Sequence, residues 1–220
     1  MLVGHIAASF VGKRVAPKVS LGTLVVASLL PDLLWCVFLL AGIEHVRLQP
    51  ARGAAHYLIL ADVPWSHSLL IDAAWAALFA AAYFLLRRYP RGSWVLFAAV
   101  LSHWLLDIVT DKDIPLAPGL NRRVGLDLWS SIPGTLIVEG GLWLAGIILY
   151  VRATHPRKRA GLYAFWSVAA LLTLAWYNNI TGPPPPSVFA MGISSLIFFS
   201  LTVAWAYWMN RLRPTGPASR

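Results

Sequence analysis

The chain has 220 residues, of which 58% are hydrophobic and 12% charged, with a formal net charge of +9. Soluble domains are about half apolar and about a quarter charged, so this composition excludes an ordinary soluble domain. The basic residues sit in short clusters between apolar runs, which signals membrane topology, and no nucleic-acid partner is expected.

In chain order, the stretch MLVGHIAASFVGKRV has no basic residue ahead of its apolar part and reaches Lys13 early, so it does not read as a cleavable signal. It reads as a short half-membrane helix that lifts His5 about 12 Å from the surface where Lys13 sits. Six apolar runs follow, at 21–43, 66–86, 92–110, 133–152, 160–177 and 188–209, each near the roughly 20 residues that span a bilayer. The fold class expected is therefore an all-α polytopic membrane protein of about six transmembrane helices plus the N-terminal helix. Within a single membrane domain, residues 1–152 are expected to form a metal-site core, and 153–220 two accessory spans with a basic tail. Ser66 reads as the N-cap of the second span. Trp65, Trp94, Trp129, Trp176 and Trp208 read as interfacial belt residues. Cys36 is the single cysteine, so no internal disulfide is possible.

Thirteen basic residues fall on one side: Lys13, Arg14 and Lys18; Arg87, Arg88 and Arg91; Arg152, Arg157, Lys158 and Arg159; Arg211, Arg213 and Arg220. Five fall on the other: Arg47, Arg52, Lys112, Arg122 and Arg123. The positive-inside rule places both termini in the cytoplasm. None of the nine acidic residues lies in a loop on the basic side.

Asp32, Asp72, His103, Asp107 and Glu139 lie within apolar runs, and His67 opens one. An ionised carboxylate at mid-span costs about 2.5–3.5 kcal/mol, and no lysine or arginine shares these runs to offset it. Histidine hydrogen bonds, a water-filled cavity or a bound cation must take up the charge. In LSHWLLDIV, His103 and Asp107 are four residues apart and project from one helix face. Such a pair is held as well by a simple His–Asp hydrogen bond as by a metal ion, imidazole nitrogen and carboxylate oxygen being zinc ligands. Most of these groups converge on the outer half of the bundle. Asp72, five residues after His67, points elsewhere around its helix, while His45, His56 and His155 read as solvated loop residues.

Taken in order, GHIAASF, LLPD, WSHSLL and LSHWLLDIVTDKDIPL, then an arginine loop and Glu139, resemble the bacterial membrane-bound metal-dependent hydrolases. That family is similar to the zinc-dependent phospholipase C and single-strand nuclease superfamily, and the resemblance covers about residues 1–140. It implies that His5, Asp32, His67, His103 and Asp107 hold metal. Where many members read PDID this chain has Pro31-Asp-Leu-Leu34, and where many read HRGxTHS it has Asp62-Val-Pro-Trp-Ser-His-Ser68. The implied cofactor is thus one or two divalent ions, zinc or manganese, not three.

On that resemblance the expected location is the bacterial inner membrane, and the expected activity is hydrolysis of a phospholipid or lipid-linked phosphoester at its outer side. Asp32 and Glu139 are the candidate catalytic carboxylates, and Arg122 and Arg123 would grip the substrate phosphate. Two alternatives stay open. Intramembrane Asp, Glu and His also mark transporters and proton relays, and the same residues could form a structural clip in a scaffold.

Overall fold

The structure, a computed structural model, describes residues 1–49 and 57–216; Arg52, His56 and Arg220 lie outside the described residues. Eight helices dominate the described part: α1 (Leu2–Val15), α2 (Leu21–Ser28), α3 (Leu30–Leu40), α4 (Leu69–Arg87), α5 (Pro90–Thr110), α6 (Ile132–Ala153), α7 (Arg159–Thr181) and α8 (Val188–Leu212). Helices α4 to α8 are each long and apolar enough to cross a membrane. The protein is an all-α polytopic membrane protein.

The first expected span is not one rod. It breaks at Leu29 into α2 and α3, bent by 55°. Pro31 supplies the reason: it has no N–H to donate and its ring crowds the carbonyl four residues back, on Ala27. Asp32 consequently sits in the first turn of α3. The break also leaves the Ser28 carbonyl to a side chain, as described below.

Two short antiparallel hairpins, which the apolar pattern did not suggest, close one end of the bundle. In one, β1 (His45–Leu48) pairs with β2 (Leu58–Asp62). In the other, β3 (Ile114–Pro115) pairs with β4 (Arg123–Val124). The Arg123 guanidinium ties the two together, donating to the carbonyls of Leu60 (2.9 Å), Ala61 (2.8 Å) and Asp113 (3.2 Å).

The basic clusters gather at the opposite end, where two of the charges are not free flanks. Lys13 is buried, its ammonium donating to the carbonyls of Pro17 and Val19 and to Asn210 Oδ1. Arg213 is buried over the Tyr150 and Phe165 rings, 5.8 and 5.0 Å from their centroids. The last two spans pack into the same core as the rest. Phe165 and Trp176 of α7 and Met191 and Phe199 of α8 share one core with Val3, Phe10 and Trp143.

Gly146 sets the closest approach of α1 to α6. A Cβ built there would lie 2.8 Å from Ala7 Cα, so only glycine lets the two backbones meet. This contact holds α1, and therefore His5, against the bundle.

Candidate metal centre

Four elements bring the five expected ligands together. His5 comes from α1, Asp32 from the first turn of α3, His67 from the approach to α4, and His103 and Asp107 from α5. His5, His103 and Asp107 form one group, and Asp32, His67 and His103 another, with the ligand atoms of each group within 4.8 Å of one another. His103 Nε2 lies 3.1 Å from Asp107 Oδ2 and 3.7 Å from Asp32 Oδ1. His67 Nε2 lies 3.7 Å from Asp32 Oδ1 and 3.9 Å from Asp107 Oδ2. His5 approaches the other oxygen of Asp107, Oδ1, at 3.0 Å, and the Met1 amino group donates to the same atom at 2.8 Å.

The proton positions follow from the partners of the far nitrogens. His103 Nδ1 lies 2.8 Å from the Ser28 carbonyl, the group freed by the break at Leu29. A carbonyl only accepts, so Nδ1 carries a proton, and in the neutral ring Nε2 is left as an unprotonated lone pair on the side of the carboxylates. His67 reaches the same state through two residues. Glu44 is buried and accepts the backbone N–H groups of Trp65 (2.8 Å) and Ser66 (2.9 Å) at Oε1 and the Ser66 hydroxyl at Oε2 (2.6 Å). The Ser66 proton being spent on Glu44, its oxygen accepts from His67 Nδ1 at 2.7 Å. His67 Nε2 is then also bare. Ser66 is therefore not the helix N-cap expected from the sequence; α4 begins later, at Leu69 behind Ser68.

Such nitrogens facing carboxylate oxygens are bridged either by a second ring proton, as in an imidazolium–carboxylate pair, or by a cation. Four ligand atoms placed tetrahedrally about zinc at about 2.1 Å lie roughly 3.4 Å apart. The His–Asp separations of 3.1 to 3.9 Å are of that order, and the chemistry of the donors fits a divalent ion at either of the two triads that share His103: Asp32, His67 and His103, or His5, His103 and Asp107.

The side chains of His67, His103 and Asp107 are 7%, 0% and 4% exposed, against 16% for Asp32. The accessible corner of the cluster is therefore at Asp32. It faces a chamber of about 50 Å³ that also touches Trp35, Trp129 and Asp111.

Asp111, Glu44 and Ser28 were not singled out in the sequence. Asp111 had a signal, since it extends His103 and Asp107 by one more turn along the same face. Burial, then the Asp107 charge, pushes its carboxyl up to about 7. Glu44 and Ser28 had none, because each acts through a contact distant in the chain.

The other expected residues lie elsewhere. Glu139 is buried and in neither ligand group; its two oxygens accept the indole N–H groups of Trp129 (3.0 Å) and Trp176 (2.8 Å). Those two tryptophans thus anchor a buried carboxylate, whereas Trp65, Trp94 and Trp208 are exposed as an interfacial belt requires. Arg123 is spent on the hairpins, and Arg122 is exposed. Asp72 is fully buried in the first turn of α4, outside both groups.

Residues 1–181 match the model of the YdjM inner membrane protein family. The chain belongs to that family. It is accordingly a multi-pass inner membrane protein, and the matched segment takes in every residue of the cluster as well as α7. Searches of curated proteins and of solved structures found no match.

Proposed function

We propose that this family member is a membrane-embedded metal-dependent hydrolase acting on a phosphoester lipid or lipid-linked substrate from the outer side of the inner membrane. The observation that carries the reading is the pair of imidazoles at His67 and His103, each with its far nitrogen protonated and its Nε2 turned on Asp32 and Asp107. Support for the side comes from the basic clusters: the cluster of ligands lies at the other end of the bundle, which the positive-inside rule assigns to the outside.

His67, His103 and Asp107 would hold the principal ion, zinc or manganese, and His5 would close the cluster or complete a second site. A bound divalent cation would polarise a phosphoryl oxygen and lower the pKa of its water. Asp32, at the accessible corner, is placed to take the proton from that water as the phosphoester is attacked. Glu44 and Ser66 hold His67 in the tautomer this requires, and the Ser28 carbonyl does so for His103. Glu139 positions Trp129 beside the chamber and transfers no proton in this scheme.

Elemental analysis of the detergent-purified protein beside His103→Ala and Asp107→Asn tests the metal. Stoichiometric zinc or manganese in the wild type and its loss in both variants is the expected result. A Zn²⁺- or Mn²⁺-supplemented phosphoesterase assay on lipids then tests the reaction. Metal-free protein that stays inert on every phosphoester lipid would remove the proposal.

One observation favours a second reading, ion or proton transport. The α2–α3 break places an acidic residue beside interrupted helix backbone, as discontinuous transporter helices do. Ion flux into proteoliposomes that Asp32→Asn abolishes would favour it over hydrolysis.

A further inference from the structure

A second, larger cavity of about 460 Å³ adjoins the cluster, within the size range of small-molecule sites. It meets the small chamber at Met1, Asp32, Trp35, Leu58 and Trp129, which line both. Its far wall belongs to α7 and α8: Asn178 and Ala175 on one, Met191, Ser195, Phe198 and Phe199 on the other. The wall chemistry is specific. Asp32 is the one charged side chain in the described lining, no lysine or arginine takes part, and the amino group of Met1, which also lines it, is tied to Asp107 at 2.8 Å. No free cation is left in this space to hold an anionic group, whereas aromatic and aliphatic side chains with a few neutral amides and hydroxyls suit a hydrocarbon chain and its ester linkage.

We infer that this cavity between α3, α7 and α8 is the subsite for one hydrocarbon chain of a membrane lipid, whose phosphate points past Asp32 into the cluster. The inference rests on the proposed hydrolase for the fate of the phosphate only; the cavity binds its chain whether or not a bond is cut. The occupant is a lipid and not a soluble phosphoester for two reasons. The far wall is made of membrane-spanning helices, reached by lipids, and the one cation in the described lining, the Met1 amino group, is already spent on Asp107 and not free to hold a second charged group such as a nucleotide or sugar phosphate would carry. The two C-terminal spans, which carry no ligand of the cluster, then select the substrate.

The test uses the full chain in nanodiscs containing a phospholipid with a photoreactive diazirine in its acyl chain. Wild type is expected to label on peptides covering Asn178 and Met191–Phe199. Ser195→Trp and Ala175→Phe, which fill the cavity from opposite walls, are expected to lose that labelling while keeping wild-type metal content. Labelling confined to outward residues such as Leu78, Leu144 and Leu201, and unchanged in both variants, would overturn the inference. Labelling in the cavity without hydrolysis of any phosphoester lipid would uphold it and remove the hydrolase reading. Where hydrolysis is seen, the two variants lose turnover of long-chain lipid but keep that of a water-soluble nitrophenyl phosphoester. Equal loss on both substrates, with labelling intact, counts against the subsite.

Discussion

His5 lies flat on His103, with ring centroids 3.6 Å apart and planes 8° from parallel. The stack fixes the His5 ring while its Nε2 faces Asp107 Oδ1. His5→Phe keeps the stacked ring and removes both nitrogens. The variant is expected to purify folded and to bind Zn²⁺ at least ~10-fold more weakly, as loss of even an outer partner of a metal site does. Equilibrium dialysis with Zn²⁺ measures this, and wild-type affinity in the variant would take His5 out of the ligand set.

Glu44 governs His67 from a distance, through one hydroxyl. In Glu44→Gln the amide oxygen can still accept the Trp65 and Ser66 backbone N–H groups, while the amide nitrogen donates to Ser66. The Ser66 proton must then turn to His67 Nδ1, which moves the ring proton to Nε2 and blocks the lone pair. Zn²⁺ affinity is expected to fall by about 10- to 100-fold with little change in thermal stability. Ser66→Ala should weaken binding less, because it releases the ring without imposing the wrong tautomer. Equal effects from both substitutions would contradict the proton assignment.

Glu139 is expected to matter for stability and not for metal. Glu139→Gln leaves one oxygen for two indole donors, so either Trp129 or Trp176 loses its partner. The cost of a buried unsatisfied donor is about 1–3 kcal/mol. Thermal unfolding in detergent should shift down accordingly while zinc content stays at the wild-type level. Loss of metal at unchanged stability would return Glu139 to the cluster.

Gly146 tests whether helix packing positions the cluster. Gly146→Val pushes α1 away at Ala7, two residues from His5. Overpacking of this kind costs about 1–3 kcal/mol, and the displaced helix should also weaken zinc binding. A matched change on the outward side of the same helix, Leu144→Val, is expected to do neither. Melting curves and zinc titration on the two variants decide it.

The residues of the cluster were legible because they violate their surroundings. A histidine or aspartate in an apolar run stands out at once, and the four-residue spacing of His103 and Asp107 puts both on one face whatever the rest of the chain does. Five of the six expected spans were legible from hydropathy for the same kind of reason, since bilayer thickness imposes a length on every crossing, whereas the first became a pair bent by 55°. Trp129, Trp176, Glu139 and Arg123 were less so. Each looked interfacial, catalytic or phosphate-binding from its neighbours in sequence, and each found its partner across the fold.

Local chemistry thus settled membrane insertion, the helical class and which polar side chains have no business among lipids, because these depend on composition and on periods of a few residues. Tertiary contact alone decided the 55° break at Leu29, the freeing of the Ser28 carbonyl, the Glu44–Ser66–His67 chain and the cavity against α7 and α8. The physical reason is that a hydrogen bond fixes a proton only once both partners are in place. Here the partners are separated by 75 residues in one case and 22 in another.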